Sequence, residues 1–149
     1  MTRLIITDGG RRAAGFPGGK AGDCVARSIA IATGRPYPEI HAAVAHVNAI
    51  MPKTRRRSKT VGLRTADKGI YTTSEHFRRL MRALGFVWIS TMAIGSGCRV
   101  HLKASELPPG RLVVKVSKHY TAVIDGVIHD THDCSRGGTR CVYGYWRLG

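Results

Sequence analysis

Glutamine is absent from all 149 residues, and acidic side chains are scarce: nine Asp and Glu stand against 24 Lys and Arg. The formal charge of +15 and a pI near 10.6 predict attraction to anionic partners such as nucleic acid, acidic proteins or anionic lipid surfaces, without choosing among them. No apolar run is long enough to span a bilayer, and the start, Met1 to Asp8, has neither an apolar leader core nor a cleavage site. A cytoplasmic protein without a membrane partner is therefore expected. Four cysteines, Cys24, Cys98, Cys134 and Cys141, are too few for a disulfide-stapled miniprotein, and in a reducing compartment all four are expected as thiols. Aromatics make up 7% of the chain, and none interleaves with the basic run Lys53 to Lys59, so that run reads as a solvated loop rather than a stacking platform for single strands. Gly19-Lys20 lacks the remaining spacing of a phosphate-binding loop. No cofactor motif is present, and no cofactor or bound metal is expected.

What is present centres on residues 118 to 131, where two β-branched runs meet at Asp125-Gly126, the pair best suited to a two-residue hairpin turn. With that turn, Ile124 faces Val127, Thr121 faces Asp130 and His119 faces His132. Alternation then puts His119, Thr121 and Asp130 on one face, with His129 and Asp133 on the other. His119 and Asp130 become diagonal neighbours. A histidine held by a carboxylate on a rigid hairpin is suited to general-base work, because the carboxylate orients the ring and stabilises the imidazolium.

The candidate nucleophile lies upstream in the segment Gly22 to Thr33, where Asp23 reads as an N-cap and Cys24 as the first helical residue. Partial positive charge and unpaired N–H groups at a helix start favour a thiolate. Cys24, His119 and Asp130, in that chain order, resemble the triad of papain-like cysteine peptidases. The Asp23-Cys24 start is similar to that of bacteriocin-processing peptidase domains. His129-Asp130-Thr131 and Tyr143 to Trp146 resemble the ends of small tailed-bacteriophage proteins. The resemblance covers roughly Gly22 to Trp146. It implies attack by Cys24 on a peptide, isopeptide, amide or thioester carbonyl, with a protein or peptide of a bacterial host as substrate. Papain-like enzymes usually place a Gln about six residues before the cysteine; here Gly18 stands there. Loss of one oxyanion donor typically costs roughly 100- to 1,000-fold in turnover, so backbone N–H groups of residues 15–22 or Lys20 would have to replace it. The rival function is a non-catalytic basic protein that binds a host macromolecule or nucleic acid.

Along the chain, residues 3 to 7 suggest a short strand. An apolar stripe of Val25, Ile29 and Ala32 marks a first helix ending at Gly34. A second runs from Pro38 through Ile40, Val44 and Val47 to about Ile50, with His41 and His46 on its polar face. Thr72 and Glu75 have capping-box spacing for a third, which ends at Gly85. Strands are expected at 86–90, 99–102, 111–117, the hairpin, and 140–146. Helices first and a meander of strands after describe one α+β domain over 1–149, with N-terminal helices packed on a C-terminal antiparallel sheet. The papain-like form of that domain is what the resemblance implies. A zinc site could be assembled on paper from His129, His132, Cys134 and Cys141, with Cys98 and His101 nearby. Its Cys-x6-Cys spacing matches no ribbon or knuckle.

Overall fold

The computed structural model describes residues 3–16, 22–50, 66, 67, 70, 72–93 and 95–149. The Gly18 position, Lys20, the 53–59 basic run and most of the 60–71 connection lie outside the described residues. The described architecture is α+β, with three α-helices and a six-stranded sheet. In chain order the elements are β1 (Leu4–Ile6), α1 (Cys24–Thr33), α2 (Tyr37–Ile50), α3 (Glu75–Ala83), β2 (Phe86–Ser90), β3 (Arg111–Val116), β4 (His119–Ile124), β5 (Val127–Asp130) and β6 (Gly144–Leu148). The sheet order is β1-β5-β4-β3-β6-β2.

The helices form where an apolar stripe can meet the sheet. Val25 and Ile29 of α1, Ile40 and Val44 of α2, and Phe77 and Met81 of α3 pack with Phe86, Val113, Tyr120 and Trp146 of the strands. Helix α1 ends as expected, with Gly34 in the left-handed region at φ 71°. The capping box expected at Thr72 is corrected: Ser74 is the N-cap of α3, accepting a 3.1 Å bond from the Phe77 N–H.

The other face of the sheet is also buried. Leu112, Val114, Val116, Val123 and Ile128 pack there with Leu102, Leu107, Cys134 and Val142 from the connecting segments. Burial on both faces explains the near-continuous apolar run of β3. Segments 100–102 and 140–142 run side by side, with bonds of 2.8 Å from Leu102 N–H to the Arg140 carbonyl and from Val142 N–H to the Val100 carbonyl. Their pairing stops at a single bridge, His101 to Cys141, so the strand expected at 99–102 does not form. Cys98 and Cys141 are joined as a disulfide across this pair. The expectation of four thiols is thereby corrected: Cys24 and Cys134 are free, and Cys98 and Cys141 are not.

The all-antiparallel sheet is corrected too. β1 lies parallel to β5, with Leu4 opposite Ile128 and Ile6 opposite Asp130, while every other pairing is antiparallel. No hairpin links β1 to β5, so strand direction there is set by how the intervening chain crosses the sheet. Local periodicity carries no signal for that.

Candidate functional site

The hairpin forms in the expected register, with Ile124 opposite Val127, Val123 opposite Ile128 and Ala122 opposite His129. Asp125 and Gly126 both have positive φ, 50° and 80°, as a primed two-residue turn requires. The Asp125 carboxylate accepts a 2.8 Å bond from the Gly110 N–H and ties the turn to the start of β3. At the opposite end of the hairpin, His119 Nε2 stands 2.7 Å from Asp130 Oδ2, and the His119 and His132 rings lie 5.4 Å apart. Both members of the His119–Asp130 pair are largely withdrawn from solvent, with side chains 13% and 3% exposed.

Burial acts to lower the pKa of His119. The hydrogen bond to Asp130 opposes it, aided by hydrogen bonding to Cys134 and Cys24 and by the charge of Cys24, and together these raise the pKa to about 11. Asp130 moves the other way. Burial would raise it, but His119, through its hydrogen bond and its charge, holds the carboxyl well below its usual range. The two shifts agree on an imidazolium–carboxylate pair at neutral pH. Asp130 Oδ1 also accepts a 2.7 Å bond from the Thr131 N–H.

Cys24 opens α1 and lines a cleft of ≈ 220 Å³ together with His119, Tyr120, Lys115, Lys118 and Thr72. The structure therefore brings Cys24, His119 and Asp130 into one region, with His119 interacting with both of the others. Asp23 occupies the N-cap position, but its side chain caps nothing. It is fully buried and turns instead to Arg27, to Arg11 at 3.1 Å and to the Tyr37 hydroxyl at 2.5 Å. Arg27 Nη2 lies 3.6 Å from Asp130 Oδ1. The same guanidinium thus bridges the helix start and the hairpin.

This network continues outward. Arg11 reaches Asp67 at 2.6 Å, and Asp67 is 3.1 Å from His41 Nε2. His41 packs against Phe16 with the rings tilted at 42° and their centroids 4.5 Å apart. His41 is therefore a partly buried, hydrogen-bonded residue rather than part of the polar face expected for it; His46 is exposed as expected. Sequence reasoning missed Arg11, Arg27, Tyr37 and Asp67. One signal was available for Arg27: a cation four residues after Asp23, set inside an otherwise apolar helix, needs a buried partner.

The zinc set that can be assembled on paper is not brought together: Cys98 and Cys141 are consumed by their disulfide, and His129 sits beside Ala122, on the face opposite Asp130. A different trio, His119, Asp130 and Cys134, has donor atoms all within 4.8 Å of one another. Those are the donors a soft divalent ion would take among the described residues, at the expense of the His119–Asp130 bond. No helix among the described residues is long and apolar enough to cross a membrane. Comparisons with protein-family models, curated proteins and solved structures return no match to this chain.

Proposed function

We propose that this protein is a papain-like cysteine hydrolase acting on a peptide, isopeptide or related amide or thioester bond. The observation that carries the reading is the convergence of three elements: a cysteine at a helix start shares a cleft with a histidine that is hydrogen-bonded to a buried carboxylate. An imidazolium beside the sulfur is the electrostatic partner a thiolate nucleophile needs. Asp130 holds Nε2, which leaves Nδ1 to serve the sulfur.

In this mechanism the Cys24 sulfur attacks the carbonyl carbon, and the carbonyl π electrons move to oxygen. As the tetrahedral species collapses, the bond to the leaving group breaks and His119 protonates that group. Water, deprotonated by His119, then attacks the acyl thioester and releases Cys24. The absent Gln has a physical substitute. Because Asp23 turns away into its ion pairs, no side chain among the described residues caps the first N–H groups of α1. Those N–H groups, Cys24 first, can receive the oxyanion. Deamidation and acyl transfer use the same first step: deamidation differs in the group that leaves, ammonia from a side-chain amide, and acyl transfer in the acceptor that replaces water.

The test is the rate at which Cys24 is alkylated by neutral iodoacetamide at pH near 6, with Cys24→Ala as the blank. A rate tens of times that of a simple thiol, lost in His119→Ala, is the expected result. Alkylation no faster than a simple thiol, or only after unfolding, removes the hydrolase reading. A basic protein that binds a host macromolecule or nucleic acid through its charge would then remain.

A further inference from the structure

The cleft beside Cys24 carries two lysines that no acidic side chain of the sequence pairs with. Lys115 and Lys118 both line it. All nine Asp and Glu of the sequence lie among the described residues, so every acidic side chain can be located. Asp23, Glu39, Asp67, Glu75, Glu106 and Asp130 engage other cations or histidines. Asp8, Asp125 and Asp133 accept bonds from nearby backbone N–H groups. None forms an ion pair with Lys115 or Lys118.

The position of Lys118 adds to this. It occupies the turn between β3 and β4 with φ 56°, a left-handed conformation better suited to glycine or asparagine. That turn sets a lysine next to His119 in the cleft lining. Lys115 faces Tyr120 across the β3–β4 ladder, and Lys115, Lys118, His119 and Tyr120 all line the same cleft. Two lysines with no acidic partner among the described residues, lining a partly enclosed space, form an attractive field for an anion.

We propose that the cleft contains an anion subsite: the compound whose carbonyl reaches Cys24 is an acidic peptide, with a carboxylate close to the reacting carbonyl that Lys115 and Lys118 select. This rests on the cysteine-hydrolase reading of the same site. The probe is a pair of small alkylating agents of similar size, anionic iodoacetate and neutral iodoacetamide. With either one, a bond forms between sulfur and the probe's methylene carbon, the carbon–iodine bond breaks, and iodide leaves with the electron pair. The His119 imidazolium itself attracts iodoacetate, so the informative quantity is the change in the iodoacetate-to-iodoacetamide rate ratio between wild type and variants.

The variants are Lys115→Met with Lys118→Asn, the second chosen because asparagine tolerates positive φ. Lys115→Arg with Lys118→Arg keeps the charge. Arg99→Gln removes an exposed cation from the segment 98–102, outside the cleft lining. At low salt the ratio is expected to fall about threefold to tenfold in the neutral double variant. It should hold in the arginine pair and in Arg99→Gln. The difference should vanish near ~1 M salt, where the screening length is about 3 Å. A ratio in the neutral double variant matching Arg99→Gln, with the iodoacetamide rate intact, overturns the anion subsite and leaves the hydrolase reading standing. Iodoacetamide inertness of Cys24 in the wild type overturns both.

Discussion

Arg27 and Asp23 illustrate how single residues here hold two elements at once. Asp23 looks like a helix cap by position, yet its carboxylate is committed to Arg27, Arg11 and Tyr37. Arg27 extends that commitment to Asp130. Burial raises the Tyr37 hydroxyl above its usual range, and the neighbouring Asp23 carboxylate pushes in the same direction. Tyr37 therefore stays a donor to Asp23. At this scale the His119–Asp130 pair also sets a pH dependence of stability. The folded pKa of His119, about 11, lies above its usual 6.5, so its stabilising effect is complete below 6.5 and is lost as pH rises through about 11. The pKa of Asp130 is lowered from 3.8, so its contribution is present above 3.8 and is lost as pH falls below that value. The stability advantage of wild type over Asp130→Asn, measured by urea unfolding, is therefore expected to be largest near pH 5 and smaller at pH 9. An advantage that stays constant between those two values would contradict an ionised pair.

At the scale of elements, the central strands are positioned by contacts that a side chain would disrupt. Gly144, at the start of β6, faces Ser90 on β2 and Lys115 on β3, and an added β-carbon would land in the Trp88 ring. Gly144→Ala is expected to destabilise by ~1–3 kcal/mol through overpacking, seen as a lower urea midpoint with unchanged slope. A neutral result would mean that both the Trp88 ring and the β2 backbone at the Ile89 carbonyl give way. The hairpin was legible in the sequence because Asp125-Gly126 admits few turns and the β-branched residues on either side set the faces. The first strand was legible as a strand but not as a parallel one. The third helix was legible in its periodicity, but its cap was not, because Thr72 and Ser74 are chemically alike and only the path of the chain chooses between them.

At the scale of the whole molecule, the sheet is covered by helices on one side and by segments 98–109 and 131–143 on the other, with the Cys98–Cys141 disulfide joining these two coverings. The sequence separation of 43 means that reduction releases a long loop in the unfolded chain. Reduction, or Cys98→Ser with Cys141→Ser, is expected to lower stability by about 2–4 kcal/mol. Thermal unfolding with and without reductant checks this. Because the disulfide lies away from the Cys24 cleft lining, the alkylation rate of Cys24 should be the same in both forms. Equal melting temperatures would show that the two coverings are held by packing alone.

By itself the amino-acid order determined the helix-then-strand sequence, the hairpin register and the diagonal closeness of His119 to Asp130, since each follows from spacing along one or two neighbouring segments. Only the tertiary structure decided that Cys24 meets His119 in a cleft, that Arg27 joins Asp23 to Asp130, that β1 lies parallel to β5 and that two of four cysteines are bonded. These are contacts between residues tens of positions apart. Their distances depend on how layers stack, and no local periodicity encodes that stacking.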